Sequence, residues 1–172
     1  MFLLVGGCGV VLVPVLAVLA IYGVRKYIGN AKTAEARNAV GMISKDAVSA
    51  YERELLVGGR PLHQLCASAS APVPLVVPRA NKYQSASSDW QMDRVANAGF
   101  YCLKFEISQP QYYQYDYKRT GSGLLTGDSF EAIAHGDLNG DGVTSTFSVR
   151  GQIGAGDVVT VAPTILEDAP EE

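Results

Sequence analysis

Hydrophobic positions divide the chain into three stretches with different patterns. Residues 1–24 carry no charged side chain and are apolar apart from four glycines and one proline. Apolar residues then recur at helical spacing through 25–57, and after residue 99 the hydrophobic period falls to two. The pattern predicts an α+β protein in which a long N-terminal helix packs on a C-terminal antiparallel β-sheet of about four strands.

The first stretch predicts a transmembrane helix. A helix over 1–24 would rise about 36 Å, which is enough to cross a hydrocarbon core of about 30 Å. Pro14 lies inside this span and is expected to bend or locally loosen the helix. Cys8 is interpreted as a small apolar residue of the span, since the basic segment that precedes a lipidation site is missing.

The second stretch, 25–57, predicts an amphipathic continuation of the same helix, ending at the glycine pair 58–59. Its apolar stripe needs a cover, and the residues of this stripe are Ala36, Ala39, Val40, Ile43, Ala47, Ala50, Tyr51 and Leu55. Residues 58–99 are rich in Ser, Ala, Pro and Gly and predict a connecting loop region, with Trp90 as a core anchor.

Two cysteines lie outside the span. Cys66 and Cys102 suit one disulfide in an oxidising compartment, and two reduced buried thiols are the alternative. The disulfide argues for export of this region. Arg25 and Lys26 argue the other way, because basic residues beside a span favour the cytoplasmic side.

Residues 100–162 predict the sheet, and 163–172 predict a solvated acidic tail. Strands are expected over 101–107, 111–119, 129–135 and 143–151, with a short one near 158–161. The second strand places Tyr113, Tyr115 and Tyr117 on one face. These rings could bind a sugar, but packing of sheet against helix is the favoured interpretation.

An acidic turn joins the last two long strands. Asp137, Asn139 and Asp141, followed by Gly142, match the first half of an EF-hand calcium loop, while Ser148 stands where the bidentate glutamate should be. A plain hairpin turn also favours Asp, Asn and Gly. Both interpretations stay open, and calcium is the one cofactor that the sequence suggests.

Charge and motif content exclude several function classes. The chain has 14 Lys+Arg against 17 Asp+Glu, a net charge of −3, and no basic cluster suited to nucleic acid. His63 and His135 are the only histidines, and neither has a metal-ligand or catalytic partner at a useful spacing. We therefore do not expect an enzyme.

The N-terminal half resembles the helix of type IV pilins and of type II secretion pseudopilins. The resemblance rests on the residues 15–22, VLAVLAIY, followed by 27–36, YIGNAKTAEA, and covers about 12–57 by pattern. It implies a bacterial, membrane-inserted filament subunit whose partners are other pilin-like subunits, contacted through the N-terminal helix. The localisation implied is the inner membrane with a periplasmic C-terminal domain, or an extracellular filament after assembly.

The chain departs from that family at three positions of the filament core and membrane segment. The family's glutamate near the mature N-terminus falls at Val5, its proline falls at Tyr22, and a proline stands instead at Pro14. Loss of the glutamate resembles minor, tip-located subunits. The expected function is thus a pilin-like structural subunit, with a non-assembling membrane-anchored binding module or an anchored enzyme as alternatives.

Overall fold

The computed structural model describes the backbone of residues 5–53, 55–57 and 60–172, and all of their side chains except those of 5–12, 25, 55–57, 60 and 61. It has an N-terminal helix and an antiparallel sheet, as the α+β prediction requires. Helix α1 spans Val5–Glu52 and contains Pro14. A two-stranded hairpin follows, with β1 over Leu55–Val57 and β2 over Arg60–Leu62.

The main sheet has five strands rather than about four. Its core is β3 (Tyr113–Thr120), β4 (Ser129–Gly136) and β5 (Ser145–Ile153), paired in that order. Two short strands, β6 (Val159–Val161) and β7 (Leu166–Asp168), both pair antiparallel with β5. β7 lies within the predicted acidic tail, and its three residues are exposed.

The apolar stripe of α1 is buried from Ala36 to Tyr51, as predicted. It packs on the face of the sheet that carries Tyr115 and Phe147. Between these large rings, β4 contributes alanines: Ala134 pairs with Tyr115 on one side and with Phe147 on the other. The small alanine side chains of β4 let the helix approach the sheet closely, while the larger rings of β3 and β5 pack on either side of it.

The predicted C-terminal end of the long helix is wrong. The helix ends at Glu52, because the residues that were expected to continue it to 57 form β1, which pairs with β2 in a hairpin. A Gly-Gly pair between two short strands is a hairpin signal as well as a helix stop, and residues 58–59 themselves lie outside the described residues. His63 lies beside the helix end, with Nδ1 at 2.9 Å from the carbonyl oxygen of Tyr51.

The strand expected over 101–107 is also wrong. Gly99–Leu103 form a short helix, α3, which ends where Lys104 adopts a left-handed conformation with φ of 64°. Phe100 and Leu103 are both buried, and their spacing of three suits a helical turn. Leu103 and Phe105 are also both buried, and their spacing of two is the pattern that predicted a strand. A further short helix, α2, spans Ser87–Trp90.

The edge of β3 is already occupied, which explains why residues 101–107 form no strand against it. The connecting region occupies this edge: Ala69 donates its N–H to Tyr117, and Val73 exchanges both backbone hydrogen bonds with Tyr115. The disulfide between Cys66 and Cys102, with a Cα–Cα distance of 5.9 Å, matches the predicted pairing. It ties the start of the connecting region to α3. The two cysteines are 36 residues apart, and closing a loop of that length stabilises the fold by roughly 3 to 4 kcal/mol in the loop-entropy model.

Trp90 anchors the other end of the connecting region, as predicted. Its ring is buried, with Phe100 at 5.0 Å and Phe105 at 5.4 Å between centroids. The indole Nε1 donates to the Ser85 hydroxyl, which in turn donates to the Ile107 carbonyl. The polar edge of this ring is thereby satisfied inside the core.

Candidate functional site

The most unusual surface of the protein is the first part of α1. From Val13 to Val24 the large apolar side chains are exposed on every side of the helix, at 52–68% each, and Tyr22 is among them. The same holds for Tyr27, which is 75% exposed. A helix that is apolar all round requires a surrounding apolar phase or other helices. We call Val13–Val24 the exposed apolar segment.

Within the range whose side chains are described, no helix is long and apolar enough to cross a membrane. The predicted span of 1–24 has its first twelve side chains outside that range, Val5 among them. Pro14 lies within the continuous helix α1, and the bend predicted there stays a prediction.

The C-terminal half of α1 is fixed to the sheet by polar contacts as well as by its apolar stripe. One carboxylate oxygen of Glu35 accepts hydrogen bonds from the Tyr112 backbone N–H at 2.8 Å and the Tyr115 hydroxyl at 3.1 Å. The amino groups of Lys32 and Lys82 lie 4.7 Å and 4.9 Å from the centre of the Tyr112 ring. These contacts fasten the helix to the start of β3, just beyond the exposed apolar segment.

A second fastening joins α1 to the C-terminal strand. Arg37 donates two hydrogen bonds to the Glu167 carboxylate, at 2.7 Å and 2.8 Å, across 130 residues of sequence. This bidentate hydrogen bonding lowers the pKa of Glu167 and raises that of Arg37. Sequence reasoning missed this pair, because no local signal links a helical arginine to a residue of an acidic tail.

The three tyrosines of β3 form no ligand surface. Tyr113, Tyr115 and Tyr117 are fully buried between sheet and helix, so packing is the interpretation that the structure supports and these three rings are not open to a sugar. Burial raises the pKa of Tyr113 to about 12. The Ser145 hydroxyl donates to the Gly136 carbonyl, and the Tyr113 hydroxyl has no hydrogen-bond partner among the described residues.

The acidic turn holds its own backbone with its side chains. The two oxygens of the buried Asp137 carboxylate accept the N–H groups of Gly140 at 2.6 Å and Gly142 at 3.0 Å. Asn139 accepts from the Asp141 N–H, and Asp141 accepts from the Val143 N–H at 2.7 Å. Each of the three predicted calcium ligands thus accepts a hydrogen bond from a backbone N–H group of the turn.

This geometry favours the hairpin interpretation of the acidic turn. Besides accepting from the Asp141 N–H with its oxygen, Asn139 directs its Nδ2 donor toward the Asp141 carboxylate at 3.3 Å. Over the described part of the chain, no group of three or more His, Cys, Asp and Glu side chains is placed to hold a metal ion. Calcium binding would require these oxygens to turn toward a common centre, and it stays a prediction.

His135 is placed for structure rather than for chemistry. Its Nδ1 lies 2.9 Å from the Thr146 hydroxyl on the neighbouring strand, and burial lowers its pKa. His63 lies at the other end of the domain, beside Tyr51. The two histidines therefore do not share a site.

Comparison of the chain with protein-family models, with curated proteins and with solved structures found no match. The function must be argued from the molecule itself.

Proposed function

We propose that this chain is a pilin-like structural subunit of a type IV pilus or type II secretion pseudopilus, and a minor or tip-located one. The observation that carries the proposal is the division of α1. One continuous helix is packed on a sheet along its C-terminal half, and the exposed apolar segment within its N-terminal half is left uncovered. A filament subunit needs this arrangement, because the uncovered half must meet other subunits.

The exposed apolar segment is costly in water. Burying one side chain of the size of Val, Leu or Ile is worth about 1.5–3 kcal/mol, and eight large apolar side chains from Val13 to Val24 are more than half exposed. Lipid can cover them before assembly, and like helices can cover them afterwards. We therefore propose that residues 1–24 anchor the chain in the inner membrane until the helix enters a filament core.

The compartment follows from the disulfide. A bond between Cys66 and Cys102 suits the periplasm or the outside of the cell, where thiols are oxidised. The sheet domain would thus lie on the periplasmic side while the chain is anchored, and on the filament surface after assembly.

The copy number follows from Val5. In the register of the pilin resemblance, a carboxylate at this position neutralises the N-terminal amine of a neighbouring subunit. Residues 1–24 contain no Asp, Glu, Asn, Gln, Ser or Thr that could replace it. An unpaired charge in an apolar core costs several kcal/mol, so this chain fits a position at which no such contact is made.

A membrane-anchored binding module that does not assemble is the second candidate. A cavity at the far end of α1, lined by charged, amide and aromatic side chains, favours it, since a purely structural subunit has no need of one. An anchored enzyme is the weakest alternative, because the one histidine of the described residues that contacts a side-chain hydroxyl, His135 with Thr146, is half-buried within the sheet.

The test is quantitative mass spectrometry of sheared filaments, with electron microscopy of the same material. We expect this chain in low copy number relative to any major subunit, and we expect Val5→Glu to increase its share. Val11→Glu is the control, because it adds the same charge six residues deeper. Finding the wild-type chain as the dominant component would overturn the tip assignment, and finding it in no filament, with or without Val5→Glu, would favour the anchored module.

A further inference from the structure

A cavity of about 650 Å³ opens at the C-terminal end of α1, between that helix, α3 and the connecting region. We call it the distal cavity. Its volume lies in the range of about 300–1,000 Å³ that is usual for small-molecule sites. Ala50 lines it, and the 26 residues of helix from Val24 to Ala50 rise about 39 Å. The distal cavity is therefore remote from the exposed apolar segment.

The lining combines cationic and amide side chains. Arg53 and Lys104 supply positive charge, and Glu106 is the one acidic side chain among the described lining residues. Three amides, those of Gln64, Gln91 and Asn97, also line it. An amide side chain both donates and accepts hydrogen bonds, which is what a ligand with several hydroxyl groups requires.

Aromatic rings supply the apolar part of the lining. Tyr101 is half-buried in the wall, and Phe100 and Trp90 lie beneath it as buried residues. The Arg94 guanidinium lies 6.0 Å from the centre of the Tyr101 ring and adds a further cation to this region. A flat apolar wall beside hydrogen-bonding groups suits a ring that has one apolar face and polar edges.

The cavity is held in shape by the core. The Arg53 guanidinium donates to the Cys102 carbonyl at 2.6 Å, and Cys102 is itself bonded to Cys66. A guanidinium has five N–H donors in a planar fork, so most of them remain for a ligand after this contact. A pre-formed site loses less entropy on binding than one that must be ordered first.

We propose that the distal cavity binds a short oligosaccharide that carries a carboxylate. Arg53 and Lys104 take the carboxylate, the amides take the ring hydroxyls, and Tyr101 packs against an apolar ring face. This proposal goes beyond the structural role and does not depend on assembly. A binding site at the end of the chain opposite the anchor would allow a tip subunit or an anchored module to hold a polysaccharide.

The test is calorimetric titration of the full chain in detergent micelles with a trisaccharide of galacturonic acid. The methyl ester of the same trisaccharide, which lacks the charges, is the matched ligand. We expect saturable binding of the acid that is at least about tenfold tighter than that of the ester, since charged hydrogen bonds are the stronger ones. We expect Lys104→Gln to weaken acid binding about fivefold or more and to leave ester binding unchanged.

Two further variants separate the site from general effects. Tyr101→Ala should weaken binding of both ligands, and Lys118→Gln, on β3 outside the cavity lining, should weaken neither. Thermal melting of each variant checks that it is folded. Absence of binding up to about 10 mM, equal affinity for acid and ester, or wild-type affinity in both Lys104→Gln and Tyr101→Ala would each overturn the proposal. Filament assays are independent of this measurement, so its failure leaves the proposed function standing.

Discussion

The two halves of α1 are both rich in apolar residues, yet they have opposite surroundings. Leu16 and Ile21 in the first half are 55% and 57% exposed, whereas Val40 and Ile43 in the second half are fully buried. The second half keeps its apolar residues on one stripe, which one face of a sheet can cover. The first half is apolar all round, and no single face can cover it. The pattern of apolar residues, more than their number, therefore decides which half the domain itself stabilises.

The largest expected effect compares the same substitution in the two halves. Ile43→Ala removes buried atoms between helix and sheet and should lower the free energy of unfolding by about 2–5 kcal/mol. Ile21→Ala, in the exposed apolar segment, should change it by less than about 0.5 kcal/mol. Urea unfolding of the full chain in detergent measures both values. Equal losses in the two variants would show that the first half also packs on the domain.

The next largest effect distinguishes a calcium-binding loop from a hydrogen-bonded turn at residues 137–142. If the turn binds calcium, metal at 100 times its dissociation constant should add about 2.7 kcal/mol to stability, and Asp137→Ala or Asp141→Ala should abolish that gain. If it is a hydrogen-bonded turn, as its contacts favour, melting curves in chelator and in millimolar calcium should coincide. Asp137→Ala should then destabilise equally in both buffers, because the N–H groups of Gly140 and Gly142 lose their carboxylate acceptor.

A smaller effect separates two buried tyrosines that face the packed half of α1. The Tyr115 hydroxyl donates a hydrogen bond to the Glu35 carboxylate, so Tyr115→Phe should cost about 1.5–3 kcal/mol. The Tyr113 hydroxyl has no partner, so Tyr113→Phe should be neutral or stabilising by up to about 1 kcal/mol. Chemical denaturation of the two variants side by side is the measurement. A clear loss in Tyr113→Phe would reveal a hydrogen bond that the described geometry lacks.

The smallest effect concerns the Arg37–Glu167 pair. Because both side chains are partly exposed, we expect it to contribute about 0.2–1 kcal/mol. The folded-state pKa of Glu167 is lowered, so this contribution is present above the unfolded-state pKa of about 4.3 and is lost as the pH falls through the folded-state value. Glu167→Gln should remove it at pH 7 and flatten that part of the stability profile. Glu131→Gln, which breaks an exposed pair with Arg150 within the sheet, is the control for a general charge effect.

The exposed apolar segment, the buried stripe of α1 and the strand pattern around Tyr115 were readable from sequence. Each of them repeats with the period of its own element, so neighbouring residues carry the signal. The pairing of Cys66 with Cys102 was readable for a different reason, since two cysteines outside the span leave one intramolecular choice.

Only the tertiary structure decided the rest. Leu103 belongs both to a helical pair with Phe100 and to the alternating pattern with Phe105 that predicted a strand, and the structure forms the helical turn while the connecting region pairs with the edge of β3. The pairing of Glu167 with Arg37 and the side chains that line the distal cavity come from parts of the chain far apart in sequence. Local patterns determine which face of an element is apolar, but they carry no information about which distant segment will cover that face, and this is settled by packing.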